Sequence, residues 1–204
     1  MKKLMKKKQL IQFEDEIAKL FRMKKIFAPI HLYNGNEDNL IKIFKKIHPQ
    51  DWIFCSWRSH YQCLLKGVPP KKIKHEIIAG KSISLCFPKY KVYSSALVGG
   101  SIPIAVGAAL SLKIKKNKNV KVYCFIGEMT SETGIVHECI KYSRNFNLPI
   151  HFVIEDNALS VCTDTRKTWK QKKLTYEGIK DKFVTYYKYK SKYPHAGVGK
   201  RIQF

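Results

Sequence analysis

Acidic residues are scarce in this chain. Asp and Glu total 15 against 39 Lys and Arg over 204 residues, a formal charge of +24. Arginine is scarcer still, at five against 34 lysines. Proteins that read nucleic acids lean on the arginine fork for bidentate contacts. Here the lysines are spread along the chain, so a nucleic-acid role is discounted, and AT-rich coding bias accounts for a Lys-, Ile- and Asn-rich composition. No apolar stretch approaches the roughly 20 residues that cross a bilayer. The basic start has no signal-type apolar run, because Glu14, Asp15 and Glu16 interrupt it. No C-x-x-C pair occurs among Cys55, Cys63, Cys86, Cys124, Cys139 and Cys162. Free thiols in a reducing compartment follow, and a cytoplasmic protein with no membrane partner is expected.

What is present is an α/β pattern with 45% hydrophobic residues, enough for one well-cored domain and a short arm. Residues 1–27 read as a basic arm and a helix, and 28–204 as the main domain. Leu10, Phe13, Ile17, Leu20 and Phe21 recur at helical spacing up to about Lys25. That face is expected to pack on the domain or on a partner subunit.

The stretch from Val120 to Cys162 is the most informative. Val120–Ile126 reads as a buried strand that Gly127 breaks. Thr130 and Ser131 offer a helix cap, and Glu132 puts negative charge in the first turn. Ile135, Val136, Cys139, Ile140, Tyr142, Ser143 and Phe146 supply one apolar face, and Asn147 and Pro149 end the helix. Ile150–Ile154 is a second strand, followed by Glu155, Asp156 and Asn157. Such a strand–helix–strand unit is a right-handed parallel crossover, so both acidic turns leave the carboxyl ends of parallel strands, where open α/β sheets bind ligands. Glu128 and Asn157 thus offer hard oxygens for Mg²⁺ or Ca²⁺, with Mn²⁺ a further option. The next helix N-terminus offers N–H groups to an anion. A magnesium diphosphate suits that arrangement.

Elsewhere, His31-Leu32-Tyr33-Asn34-Gly35-Asn36-Glu37 combines a turn with a helix cap at Asn36, ahead of Leu40, Ile41, Phe44 and Ile47. A strand over Asp51–Trp57 ends at Arg58, a permanent donor suited to a diphosphate oxygen. A turn at Lys66–Pro70 leads to a short helix through His75 and Ile78, and Gly80–Ser95 shows no readable pattern. Pro103 fits the first turn of a helix whose Ala105–Leu110 are small or apolar on nearly every side, so that helix is expected to be buried. Lys113–Lys121 reads as a basic turn. Thr163–Lys182 reads as loop with a short helix, Phe183–Tyr189 as a last strand, and Lys192–Gly199 as a Pro/Gly loop carrying His195.

These motifs resemble the thiamine-diphosphate fold, and more closely the alpha subunit of the thiamine-dependent first component of 2-oxo acid dehydrogenases. The implied fold is a parallel twisted sheet with helices on both faces. The resemblance implies that Glu128, Asn157 and the Leu159 carbonyl hold the metal. It implies that His31, Trp57, Arg58, Ala96, Leu97, Val98, Gly127, Met129 and Thr130 border the cofactor. It further implies catalytic roles for His60, two places after Arg58, and for His195. This chain has Glu128 in place of the family's Asp, Met129 in place of the following Gly, and Asp156 in place of the first Asn. No carboxylate in a matching context is available to activate the cofactor's aminopyrimidine. The resemblance therefore implies a beta-type partner that supplies a Glu, an alpha2beta2 assembly, and a 2-oxo acid or ketose substrate. The Gly80–Ser95 segment is shorter than the family's, which speaks against a lipoyl partner. The alternatives are a transketolase- or acyloin-synthase-type subunit, and a non-catalytic regulatory or scaffold subunit that keeps the fold.

Overall fold

The computed structural model describes residues 4–199. Met1–Lys3 of the basic lead and positions 200–204 lie outside the described residues. Strands β1 (Trp52–Cys55), β2 (Cys86–Phe87), β3 (Val92–Ser94), β4 (Val122–Gly127) and β5 (Ile150–Asp156) join β8 (Val184–Lys188) in one six-stranded sheet. Its order is β2-β3-β1-β4-β5-β8, and every pairing is parallel except the short β2–β3 edge. Two further strands, β6 (Leu159–Ser160) and β7 (Thr163–Asp164), form a separate antiparallel hairpin just past β5.

Successive strand residues point to opposite faces, and this divides the core in two. Ile53, Cys55, Tyr123, Phe125 and Val153 belong to one cluster, and Phe54, Cys124, Ile126, Phe152 and Ile154 to the other. The first face packs against α1 (Lys7–Arg22), α2 (Glu37–Phe44), α3 (His60–Lys66) and α4 (Pro70–Ile78). The second packs against α5 (Ser101–Ile114) and α7 (Gly134–Asn145). Two short helices, α6 (Glu128–Ser131) and α8 (Thr165–Trp169), sit beside the carboxyl ends of β4 and β5.

Leu10, Phe13, Ile17, Ala18 and Phe21 of α1 are buried in the first cluster. Glu14 on the same helix is fully buried, and it accepts the Tyr33 N–H at 2.7 Å. The loop 30–36 is held to the chain's far end. Lys192 N–H donates to the Asn34 carbonyl at 2.8 Å, and Gly197 N–H donates to the Ile30 carbonyl at 2.9 Å. Gly35 lies at this crossing with φ +137°, and a Cβ there would stand 2.1 Å from the Lys190 carbonyl oxygen. Only glycine permits that approach.

Four local expectations are corrected. Asn36 caps no backbone group with its side chain; that amide is drawn into the candidate site instead. The crossover helix does not begin on Thr130 and Ser131. Both lie in the one-turn α6, and α7 starts at Gly134 behind Thr133. Its buried face is Val136, Cys139, Ile140 and Ser143, whereas Ile135, Tyr142 and Phe146 are exposed. Helix α5 is buried only through Ser101, Ile102, Ala105, Val106 and Ala109. Ile104 and Ile114 are exposed, because no element among the described residues covers them. Finally, Gly80–Ser95 holds β2, β3 and two 3₁₀ turns, elements too short for periodicity to reveal. All six cysteines are free, with Cys86 and Cys162 exposed.

Leu10→Ala removes a fully buried side chain and should cost about 2–5 kcal/mol in urea unfolding. A loss well below that range would mean α1 unfolds apart from the sheet. Gly35→Ala should cost at least about 1–3 kcal/mol from backbone strain, with the Lys190 clash added.

Candidate functional site

The carboxyl ends of β1, β4 and β5 converge on a small cleft of about 50 Å³. From the β1 tip come Trp57 and Arg58, and from the β4 tip come Gly127, Glu128, Met129 and Thr130. Asn157 and Leu159 enter after β5, and His195 comes from the C-terminal loop. The sheet therefore brings Glu128 and Asn157 to one cleft, with Arg58 between their strands and the edge. Gly127 pairs with Glu155 in the β4–β5 register, so Glu128 and Asn157 leave their strands at matched heights.

Glu128 is 2% exposed, and its Oε1 accepts the Thr165 hydroxyl at 2.7 Å. Burial holds its carboxyl above the usual carboxylate range. The Thr165 hydroxyl and the Asn157 N–H pull it the other way. Asn157 Oδ1 accepts the Leu159 N–H at 3.2 Å, closing a turn. Ala158 (φ 66°) and Val161 (φ 56°) are left-handed in the same hairpin, and for a β-branched valine that is a strained conformation. Asp156 points the other way: Arg166 Nη2 donates to it at 2.7 Å, and the Tyr186 hydroxyl also binds it. It is therefore spoken for structurally. Among the described residues no group of three or more His, Cys, Asp or Glu could hold a metal. A metal in this cleft would rest on one carboxylate, one amide oxygen and a backbone carbonyl. That hard, sparse donor set suits Mg²⁺ completed by phosphate and water oxygens.

Arg58 lies with its guanidinium 5.6 Å from the Tyr33 ring centroid, and its Nη2 donates to the His195 carbonyl at 3.3 Å. Its Nε is buried with no hydrogen-bond partner among the described residues, and the Tyr189 hydroxyl lies beside the guanidinium. An orphaned guanidinium N–H beside such a cleft is what a phosphate oxygen would satisfy. His31 stands just outside the cleft lining, edge-on to His195 at 4.7 Å between ring centroids and 6.0 Å from Trp57. Burial, with His195 and Arg58 nearby, depresses His31 to about 3. Burial and Arg58 also lower His195. Both rings are neutral at physiological pH.

Beneath the cleft lies a carboxylate that the sequence reading passed over. Glu155 is 5% exposed. Its Oε1 accepts from the Tyr187 hydroxyl and from Asn36 Nδ2 at 3.3 Å. Its Oε2 faces the Tyr33 hydroxyl at 2.9 Å and Gln62 Nε2 at 3.3 Å. The Tyr33 Oη is also 2.7 Å from the Arg58 carbonyl oxygen, so its one proton is shared between two acceptors. Burial raises Glu155 to about 7, against the pull of these donors and of Arg58. The available signal was a charged residue inside an apolar strand, on the face that period two turns into the core.

Two groups of expected site residues do not reach the cleft. His60 is sealed under α1, with Nε2 2.9 Å from Ser82 Oγ and Nδ1 3.5 Å from Glu14 Oε1. Ala96, Leu97 and Val98 are exposed, Leu97 at 74% and Val98 at 66%, and none of them lines the cleft. A larger cavity, about 770 Å³, lies toward the opposite ends of the strands and shares no lining residue with the cleft, though Tyr187, which bonds Glu155, borders it. The chemistry-bearing groups mark the smaller one.

Glu155 generates a pH prediction. Its folded value of about 7 lies above the carboxylate's ordinary 4.5, so between those values the folded chain keeps a proton that the unfolded chain has released. The associated stability is complete below pH 4.5 and is lost as pH rises to 7. Glu155→Gln should flatten this fall by up to about 3 kcal/mol between roughly pH 5 and 7.5, read from urea unfolding. The opposing slope from His31 is common to both proteins and cancels. Parallel curves for the two proteins would contradict a protonated Glu155.

A family model described as "Dehydrogenase E1 component" matches residues 5–183. The alpha subunit of acetoin:2,6-dichlorophenolindophenol oxidoreductase from Bacillus subtilis is 32% identical over 162 residues, covering 74% of this chain and 48% of that protein. The pyruvate dehydrogenase E1 component subunit alpha-3 of Oryza sativa is 29% identical, over 73% of this chain and 39% of its own length. The pyruvate dehydrogenase E1 alpha subunit of Rickettsia bellii is 27% identical, over 78% and 52%. The chain thus spans about half the length of the curated relatives it matches. With the model aligned across both β4 and β5 and the cleft between them, this chain belongs to the dehydrogenase E1 component family.

Proposed function

We propose that this chain is the alpha-type half of a two-chain, thiamine-diphosphate-dependent oxidoreductase acting on a 2-oxo acid or an acyloin. One observation carries the reading: Glu128 and Asn157, at neighbouring parallel strand ends, line the same cleft as Arg58 with its unsatisfied Nε. Glu128, Asn157 and the Leu159 carbonyl would hold Mg²⁺, and Arg58 would hold the diphosphate. Thr165 positions the Glu128 carboxylate through its hydroxyl. Because burial raises that carboxyl, metal uptake displaces its proton, and binding tightens as pH rises. His31 and His195, kept neutral, present uncharged ring nitrogens beside the cleft that do not repel Arg58.

Thiamine diphosphate, when bound, supplies carbanion stabilisation for cleaving a bond next to a carbonyl. A cleft of about 50 Å³ is far below the several hundred Å³ of pockets that enclose whole ligands. This chain therefore wraps only the phosphate end, and a beta-type chain would enclose the rest and supply the activating carboxylate. The relatives' names point to acetoin and pyruvate as the substrate class. A second reading, a scaffold subunit that keeps the fold, draws support from Glu128 itself, buried and already bonded to Thr165.

Calorimetric titration with Mg²⁺ and thiamine diphosphate, on the chain alone and with the subunit that co-purifies with it, separates the two. Metal-dependent uptake should weaken by about 10–100-fold in Glu128→Gln and in Thr165→Val. Absence of uptake in the presence of the partner would leave the scaffold reading.

A further inference from the structure

We infer that the amino-terminal end of the sheet carries a second, separate anion site for a polyphosphorylated small molecule of about nucleotide size. The cavity there measures about 770 Å³, within the range of small-ligand pockets and larger than one phosphate needs. It lies between α2 and the starts of β4, β5 and β8, at the opposite end of the strands from Glu128.

Four lysines border it. Lys42 lies on α2 and Lys46 in the turn just after it, Lys121 precedes β4, and Lys182 precedes β8. Among the described residues no Asp or Glu lines the cavity. Lys42, Lys46 and Lys121 form no ion pair among the described residues, and Lys182 Nζ donates to the Asn147 amide oxygen at 3.1 Å and lies 5.0 Å from the Phe183 ring centroid. The two carboxylates nearby are committed elsewhere. Asp51 is buried and accepts the His48 and Lys121 N–H groups at 2.7 and 2.8 Å; Asp181 is paired with Arg144. Four lysines bordering one concavity outnumber the two carboxylates that act on its floor, Asp51 on Tyr123 and Asp181 on His151, and leave a net positive field that an anion relieves.

The floor combines apolar side chains (Ile43, Leu148, Ile150 and Phe183) with an ordered polar pair. His151 Nε2 bonds Thr185 Oγ1 at 2.8 Å, and its Nδ1 faces the Lys182 carbonyl at 3.0 Å. The Tyr123 ring lies 5.9 Å from that imidazole. Lys46 and Lys121 act electrostatically on His151, which burial already keeps neutral. A lysine rim over a floor of aromatic, aliphatic and hydroxyl groups suits phosphates at the rim and a ring or sugar below.

The test is calorimetry with ATP and with inorganic tripolyphosphate, in EDTA so that metal-dependent binding at the Glu128 cleft is silent. One-to-one uptake of either probe at about 150 mM salt is expected. Lys46→Gln/Lys121→Gln, both exposed positions, should weaken it about tenfold or more with an unchanged melting temperature. Arg58→Ala should leave it unaltered. No uptake at that salt, equal uptake by the double variant, loss through Arg58→Ala instead, or tighter binding of polyglutamate than of either phosphate would each overturn the proposal.

Discussion

The parallel pairing of β4 with β5 is the constraint on which the rest depends. From Val122↔Ile150 to Gly127↔Glu155 the two strands run in unbroken register. That register decides which side chains emerge at each end. At the carboxyl end it places Glu128 beside Asn157; at the amino end it places Lys121 beside Pro149 and His151. A slip of one residue would turn Glu155 to the α5/α7 face and Asp156 to the α1–α3 face, dismantling both the buried carboxylate network and the Asp156–Arg166 pair. Nearly complete burial of both strands on both faces makes such a slip costly.

Charge is distributed with a clear division. The surface is dominated by lysine, while Glu14, Glu128 and Glu155 are buried on or beside the site. Each is met mainly by neutral donors: a backbone N–H at Glu14, a threonine hydroxyl at Glu128, tyrosine hydroxyls and amides at Glu155. Neutral donors satisfy a carboxylate's lone pairs without fully repaying the desolvation of its charge. All three are therefore held above the ordinary carboxylate range. The Glu155 network also connects α2, α3, β5 and β8 through Asn36, Gln62 and Tyr187. The site thus has a rigid base built from both halves of the chain.

The legible parts of the sequence were those with strong periodicity or strong local chemistry. Long apolar strands, the α1 stripe at Leu10, Phe13 and Ile17, and the Glu128–Asn157 spacing all rest on near-neighbour relations. Asn36 misled because an asparagine before a helix is a good cap in isolation, yet a buried carboxylate 119 positions away claims its amide. His60 misled because its place after Arg58 suggested the cleft, whereas the first turn of α3 rotates it beneath α1. Leu97 and Val98 are apolar and near Gly99, but the loop leaves them in solvent. Glu155 was missed because its importance comes from three distant partners.

By itself the sequence determined the α/β class, the strand–helix–strand unit and the residues at its two tips, because burial period, turn chemistry and crossover handedness are local or near-local rules. Only the tertiary structure decided which face α1 covers, where the C-terminal loop lands to bring His195 against His31, and that Glu155 is wrapped by Tyr33, Asn36, Gln62 and Tyr187. Those contacts join segments more than 100 residues apart as well as near ones, and they are selected by the packing of the whole sheet rather than by any pattern along the chain. The same holds for the lysine-lined cavity, whose four cations are scattered in sequence and share one concavity only in the folded chain.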